Sequence, residues 1–204
     1  MAVTAVDDTG QTSASVEIKR PKWDDMLKNY PGTIIKTTDL YDEIGGGLPE
    51  RLKDDPINWE NSCTIRMSKG LNYSGVVLPW APSKGGTVVG KDNYKYWIRV
   101  NDMKAFLGEK FGLRKDDIIE ATGGKSAVDG FKGKKGIIAF DVSGWSNATG
   151  HFTLWDGANL IYPGDPRHDD PSNPLYYFHM EYEVGTGKTK KTIKTVKVRL
   201  WELK

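Results

Sequence analysis

This chain has very little cysteine, no long apolar run and almost no excess of charge. Its 204 residues contain one cysteine, Cys63, so no disulfide can form within the chain. With 29 basic and 27 acidic residues, the formal net charge is only +2, which argues against a dedicated nucleic-acid binder. The apolar runs are all too short to span a bilayer, so we expect no membrane insertion. The chain therefore need not mature in an oxidising compartment.

The amino-terminal residues lack the features of a cleaved secretion signal. Residues 1–15 have neither an early basic cluster nor a long apolar core. We therefore expect a protein that stays in the cytosol or leaves by a route needing no cleaved signal. Residues 1–19 are polar and rich in Thr, Ser and Ala, which predicts a flexible tail. Residues 20–204 are then predicted to form a single domain, long enough to bury a substantial core.

Helical patterns come first along the chain, and strand patterns come later. The predicted helices are residues 23–30, 39–44, 62 or 63 to 72, and 102–111; the predicted strands are 94–100, 136–142, 151–155, 176–184 and 192–203. Thr38 is expected to cap the second helix, and Gly45–Gly47 to close it rather than to bind phosphate. This order predicts an α+β fold, in which an N-terminal helical layer packs on an antiparallel β-sheet.

Cys63 stands at the predicted start of the third helix. Asn61 or Ser62 is a suitable N-cap, which places the sulfur in the first turn. Unpaired backbone N–H groups and the helix dipole favour a thiolate there, and the thiolate is the reactive form. The inward side is predicted to carry Ile65, Met67, Ser68, Leu71 and Asn72, and the outward side Arg66 and Lys69. The structural alternative is that Cys63 is only a small buried apolar residue.

A distant histidine completes the outline of a cysteine nucleophile and its general base. His151 opens the predicted strand in Gly150–Gly157, and a papain-like site has the same chain order of cysteine, histidine, then acid or amide. His168 lies in an acidic, proline-rich loop without a Cys/His cluster of zinc spacing, so we predict neither a metal nor another cofactor. His179 is interpreted as structural.

Two segments resemble the signature of type VI secretion amidase effectors of the fourth family. The first is Asn61–Gly75, with Cys63, Arg66-Met67-Ser68, Leu71-Asn72 and Ser74-Gly75; the second is Gly150-His151-Phe152-Thr153-Leu154-Trp155-Asp156-Gly157. The closing Val198–Leu203 is similar to the terminal strand of that family. The resemblance covers the chain from about Trp23 onward. It implies a papain-like, NlpC-type fold, because members of the family resemble that branch of the papain-like enzymes.

The resemblance also implies where and on what the protein acts. Members of the family are made in the cytoplasm and injected by the type VI secretion machinery into the periplasm of a neighbouring bacterium. There they cut the bond between the γ-carboxyl of D-glutamate and meso-diaminopimelate in peptidoglycan peptide stems. A cognate immunity protein blocks the active site in the producing cell.

Site residues follow from the resemblance position by position. Cys63 matches the nucleophile and His151 the base of the family. In the family an aspartate follows the histidine after a short loop; here residues 158–174 form a longer loop without a second cysteine, and Asp165 is the favoured orienting acid. Its carboxylate is expected to accept the Nδ1–H of His151 and to turn Nε2 toward the sulfur. The alternatives are Asp169, Asp170, Asp156 or a backbone carbonyl.

Two other classes of function remain open on the sequence. A non-catalytic wall-binding module would use aromatic and basic surface, but it would have no need for a thiol at a helix start beside a histidine. Another papain-like hydrolase, such as a phage endolysin domain or an intracellular protease, would share the site and differ in substrate. Alkylation of the thiol separates the first alternative from an amidase, and assays on purified peptidoglycan and casein separate the second.

Overall fold

The computed structural model describes residues 19–120, 127–146, 148–166 and 169–204. The helices are α1 (Trp23–Asn29), α2 (Thr37–Ile44), α3 (Leu48–Asp54), α4 (Pro56–Trp59), α5 (Cys63–Tyr73), α6 (Val100–Phe111), α7 (Val128–Phe131) and α8 (Tyr176–His179). The strands are β1 (Thr87–Val89), β2 (Lys95–Trp97), β3 (Ile118–Glu120), β4 (Gly136–Ser143), β5 (Gly150–Trp155), β6 (Glu181–Val184) and β7 (Lys191–Glu202). The predicted tail, residues 1–19, lies outside the described residues except for Lys19.

An antiparallel sheet forms the carboxy-terminal half of the described chain. Its strands lie in the order β3-β7-β4-β5, and β6 pairs with the free part of β7. The hairpin of β4 and β5 places Phe140 opposite His151 and Asp141 opposite Gly150. Strand β5 therefore lies at one edge of the sheet. The α+β prediction is confirmed, with helices preceding an antiparallel sheet.

The two faces of the sheet carry separate cores. Alternate side chains of β4 point to opposite faces, since the side-chain period of a strand is two residues. Ile137 and Ala139 belong to the core that includes Met67 of α5 and residues of α1 and α6. Ile138 and Phe140 belong to a second core that α8 covers. Strand β4 is thus buried on both faces, which explains its nearly continuous apolar sequence.

Helix α5 is buried on almost all sides. The prediction that Arg66 points outward is wrong: its residue is only 1% exposed. The guanidinium donates to Ser62 Oγ at 2.8 Å, to the carbonyls of Pro31 and Gly32 at 2.9 Å each, and to the carbonyl of Ile35 at 2.8 Å. Backbone carbonyls from the loop between α1 and α2 therefore satisfy the buried charge. They leave no periodic signal in the sequence.

Two further local predictions differ from the structure, and helices α3 and α4 have no predicted counterpart. The segment predicted as one strand, residues 176–184, forms α8 and then β6. The strand predicted at 94–100 is confined to β2. Helices α3 and α4 were not predicted, because only Leu48 among their residues is buried and so no apolar stripe marks them.

The prediction that the glycine run closes α2 is confirmed. Gly45 is the C-cap, at φ 67°, and its N–H donates to the carbonyl of Tyr41. The predicted N-cap, Thr38, instead lies inside α2, whose N-cap is Lys36. Among the described residues, no helix is long and apolar enough to cross a membrane.

Candidate active site

The start of α5 brings Cys63 to the edge of β5 that faces away from β4. The thiol is free, and the residue is 6% exposed. The sulfur lies 3.8 Å from Thr64 Oγ1, and the backbone of Phe152 favours its thiolate form. The hydroxyl of Tyr30 donates to the Phe152 carbonyl at 3.5 Å. The backbone of Phe152, on this edge strand, thus interacts with both Tyr30 and the nucleophile candidate.

Ser62 is the N-cap residue of α5, as predicted, but its side chain has a different task. Its hydroxyl accepts the hydrogen bond from Arg66 and lies 3.1 Å from the hydroxyl of Thr37. The first-turn N–H groups of α5 are therefore not capped by the Ser62 side chain. A helix start leaves its first N–H groups without partners inside the helix, and Cys63 lies at that position in α5.

The edge of β5 also determines the tautomer of His151. Its Nε2 lies 2.9 Å from the carbonyl oxygen of Tyr162, in a segment whose N–H donates to Thr153 Oγ1 at 2.8 Å. Because a carbonyl only accepts, Nε2 carries the hydrogen and Nδ1 is the basic nitrogen. The predicted orientation, with Nε2 toward the sulfur, is wrong for this reason. A backbone carbonyl holds the edge of the ring.

Two tyrosines cover the faces of the imidazole. The ring of Tyr177 stacks on His151 with centroids 4.0 Å apart and planes 10° apart, and Tyr162 lies on it at 5.5 Å and 28°. The Tyr177 hydroxyl donates to Asp169 Oδ1 at 2.8 Å. Asp169 in turn has two hydrogen bonds with the backbone of Asp165, one through its N–H at 2.8 Å and one through Oδ2 at 3.2 Å. The acidic loop thus reaches His151 through a tyrosine.

The other predicted acids have local contacts. Asp156 accepts hydrogen bonds from the N–H groups of Ala158 and Asn159, at 2.8 and 2.6 Å, and so shapes the turn after β5. Asp170 accepts from Ser172 N at 3.1 Å. Within the described residues, the contacts of His151 do not include the predicted hydrogen bond to Asp165. The role of Asp165 as orienting acid stays a prediction.

Burial sets the protonation of the two central groups. It raises the pKa of the Cys63 thiol, although the Phe152 backbone and the Thr64 hydroxyl act in the opposite direction. Burial also lowers the pKa of His151 to about 3; the Tyr162 carbonyl opposes this shift, and the nearby positive charge of Arg66 adds to it. Burial therefore favours the neutral thiol and the neutral imidazole, and it opposes the thiolate that the helix start is expected to favour.

Cys63 and His151 line the same cleft, whose volume is about 340 Å³. Tyr177 and Trp145 contribute aromatic surface to its wall. The polar part of the wall includes Asn58, Asn61, Ser83, Asn101, Asp102 and Thr149. Such a lining offers both donors and acceptors to a ligand rich in amides and carboxylates. The structure thus brings together the predicted nucleophile and the predicted base.

Sequence reasoning did not find Tyr162 or Tyr177. Tyr162 acts through its backbone carbonyl, for which the residue type carries no signal, and Tyr177 lies in the segment wrongly predicted as a strand. His168, for which no metal site was predicted, lies outside the described residues. In the part of the chain that is described, no cluster of three or more His, Cys, Asp or Glu side chains is placed to hold a metal ion.

Comparison with known proteins identifies the family. The family model described as type VI secretion system (T6SS), amidase effector protein 4, Tae4, matches residues 59–201, which include Cys63 and His151. The Tae4–Tai4 effector–immunity complex from Enterobacter cloacae contains a chain 30% identical to this one, with a TM-score of 0.67 over 91% of this chain and 100% of that chain.

Two further structures have the same fold. For Tae4 from Enterobacter cloacae the identity is 29% and the TM-score 0.66, over 91% of this chain and 98% of that chain. For the Tae4–Tai4 complex from Salmonella Typhimurium they are 28% and 0.64, over 91% and 100%. No curated protein matches this sequence. Since the matched span exceeds half of its length, the chain belongs to the Tae4 family of type VI secretion amidase effectors.

Proposed function

We propose that this effector is a cysteine amidase that hydrolyses the γ-D-glutamyl–meso-diaminopimelate bond in peptidoglycan peptide stems. The observation that carries the proposal is the placement of Cys63 and His151 in one polar cleft. The thiol begins a helix that packs on the sheet, and the imidazole lies on the edge strand beside it. In a chain of an amidase effector family, this pair is the natural candidate for nucleophilic catalysis on an amide.

The geometry suggests how the first step proceeds. Nε2 of His151 is engaged by the Tyr162 carbonyl, so Nδ1 is the nitrogen that receives the thiol proton. The proton moves as the sulfur attacks the amide carbonyl, because burial favours the neutral pair before substrate arrives. The C–S bond forms, and the carbonyl oxygen becomes an oxyanion. The backbone N–H of Cys63, at the helix start, is proposed as one donor to that oxyanion.

The remaining steps return the enzyme to its resting state. The imidazolium of His151 gives its proton to the amine of diaminopimelate as the C–N bond breaks, which leaves a thioester on Cys63. Water then attacks the thioester carbonyl while Nδ1 takes the proton of the water. The glutamyl carboxyl is released, and the thiol recovers its proton from His151.

A direct test is mass spectrometry of the fragments released from diaminopimelate-containing sacculi. The expected products are stems ending in D-glutamate and fragments that begin with a free diaminopimelate amine. Cys63→Ala should abolish the release of these fragments. Its urea unfolding midpoint should equal that of the wild type, which shows that the fold is intact. Release by Cys63→Ala near the wild-type rate would exclude Cys63 as nucleophile. Cleavage of casein instead of sacculi would favour a general papain-like protease.

The third member of the site requires its own set of variants. Asp165 is the favoured candidate for the aspartate that the resemblance implies, and we propose that its removal lowers kcat strongly. Asp165→Ala is compared with Asp170→Ala, a neighbouring acid whose described contacts are with Ser172. Activity of Asp165→Ala at the wild-type level would show that the carboxylate of Asp165 is not required. The Tyr162 carbonyl would then be the orienting group at the ring edge.

Delivery and inhibition complete the proposed function. The similar structures include complexes of Tae4 with the immunity protein Tai4, and we propose that a cognate immunity protein covers the cleft of this chain. The wall lies outside the cytoplasmic membrane, so cytosolic expression in a Gram-negative host should be tolerated. Export to the periplasm should cause lysis that depends on Cys63 and His151 and is prevented by co-exported immunity protein. Equal toxicity from the cytosol would contradict wall cleavage.

A further inference from the structure

The imidazole of His151 is held on its face as well as on its edge. The Tyr162 carbonyl fixes Nε2, but one hydrogen bond still allows the ring to rotate about the axis of that bond. The ring of Tyr177, parallel to within 10° at 4.0 Å, removes this freedom. Tyr177 is itself 2% exposed, and its hydroxyl is bonded to Asp169. Tyr177 is therefore held in place against His151 by its burial and by the hydrogen bond of its hydroxyl to Asp169.

We propose that Tyr177 and Asp169 are positioning residues for His151, and that the carboxylate of Asp169 acts on the imidazole through the Tyr177 ring. This inference rests on the proposed role of His151 as the base. A phenol that donates to a carboxylate has a more electron-rich ring, since the hydrogen bond polarises the O–H group. An electron-rich ring face attracts a cation, so the stack favours the imidazolium that forms when Cys63 gives up its proton.

The stack works against two neighbours that oppose this proton transfer. The Arg66 guanidinium, 4.1 Å from the centre of the Tyr162 ring, makes a positive charge on His151 less favourable. Burial acts in the same direction. The contact with Tyr177 supplies a compensating attraction only after the proton has moved. Its effect therefore falls on the reacting state rather than on the resting one.

Asp169 also has a direct effect on the thiol, of opposite sign. Its negative charge raises the pKa of Cys63. The other ionisable groups around the pair are Arg66 on α5, Tyr30 after α1, Tyr41 on α2, Tyr162 beside β5, and Arg99 and Asp102 on the cleft wall. The pKa values of Tyr30 and Tyr41 are raised by burial, so these phenols stay neutral across the assay range. Loss of the Asp169 charge should therefore speed alkylation of Cys63 if its direct effect on the thiol dominates, and slow it if the effect through the Tyr177 ring dominates.

Alkylation of Cys63 by iodoacetamide, followed against pH, tests the proposal without any wall substrate. Tyr177→Leu removes the ring, and Tyr177→Phe removes only the bond to Asp169. Asp169→Asn removes the charge and replaces with an amide donor one of the two oxygens that accept from the Tyr177 hydroxyl and the Asp165 N–H. Tyr176→Phe is the matched control, a tyrosine of the same helix whose ring does not stack on His151. Because the readout needs no peptidoglycan, failure of the wall-cleavage proposal would leave this result readable.

We expect Tyr177→Leu to slow alkylation near neutral pH by about tenfold and to move the pH profile upward, from the loss of a cation–π contact. Tyr177→Phe and Asp169→Asn should each slow it by roughly threefold, and the double variant no more than either, because both break one relay. On stem peptides, kcat should fall while KM stays constant. Tyr176→Phe should match the wild type.

Two results would overturn the relay. Faster alkylation of Cys63 in Asp169→Asn than in the wild type would show that direct repulsion of the thiolate by Asp169 dominates. Tyr177→Phe that matches the wild type in both alkylation and kcat would show that the hydroxyl bond to Asp169 does not matter. Urea unfolding of each variant provides the folding control. Should Tyr177→Leu fail to fold, the two milder variants still decide the question.

Discussion

Acid should destabilise this protein through His151. In an unfolded chain the imidazole has a pKa near 6.5, and in the fold burial lowers it to about 3. Below pH 6.5 the unfolded chain therefore binds a proton that the folded chain does not accept. The free energy of unfolding must fall as the pH falls through this window, and the loss is complete only near the folded pKa.

The size of this effect follows from the shift. Each pH unit in the window costs about 1.4 kcal/mol, so two units below 6.5 correspond to about 2.7 kcal/mol. Asp117 and Asp141 have lowered pKa values because of their hydrogen bonds to Arg114 and to Lys104 and Arg199, which outweigh burial. Those carboxylates also lose stabilising contacts in acid, so the wild-type curve alone cannot isolate His151.

A matched variant isolates the histidine. His151→Gln has a side chain of similar shape that can still donate to the Tyr162 carbonyl, and it does not titrate. Urea unfolding followed by tryptophan fluorescence, at several values between about pH 7.5 and about pH 4.5, gives both stabilities. The wild type should lose about 2.7 kcal/mol more than the variant over the acid part of this range. A constant difference between the two proteins at every pH would refute the reasoning.

Three other substitutions test how the site is held. Gly150→Ala places a methyl group against the Phe140 carbonyl in the β4–β5 ladder, so it should cost about 2 kcal/mol or more in urea unfolding and lower activity. Ser68→Ala removes the acceptor of the backbone N–H of Trp97. It should cost about 1–3 kcal/mol by the same assay, with little change in the rate at which Cys63 of the folded protein is alkylated. Arg66→Met leaves one buried and two partly buried carbonyls without this donor, and its thermal unfolding should show a loss of about 3 kcal/mol. Unchanged stability of any of these variants would contradict the corresponding contact.

The parts of the site with local sequence signals could be predicted. Cys63 was placed at a helix start because polar residues precede an apolar helical pattern, and α5 does begin there. His151 was placed on a strand by the apolar residues around it, and β5 includes it. The stripe Met103, Phe106, Leu107 and Phe111 correctly predicted one face of α6, and Gly112 its end. In each case neighbours along the chain carry the information.

The contacts that decide the chemistry lie far apart in the chain. Arg66 was predicted on the outward side because its partners are carbonyls more than thirty residues away. The Tyr162 carbonyl could not be predicted, since every residue has such a group. Tyr177 was missed because aromatic residues before a real strand extended the apparent strand backward. The orientation of the imidazole could not be predicted, because it depends on the Tyr162 carbonyl and on the Tyr177 ring.

The edge of the sheet links the stability of the fold to the proposed catalysis. An exposed edge strand has unpaired backbone groups, and a fold must cover them or risk pairing with another chain. Here the start of α5 and the segment ending at Tyr162 both cover β5. The first cover brings a sulfur to the Phe152 backbone. The second gives His151 a carbonyl that fixes its tautomer. Because the start of α5 and the Tyr162 segment both cover the β5 backbone and contribute to the site, a substitution that loosens their packing on β5 should lower stability and turnover together.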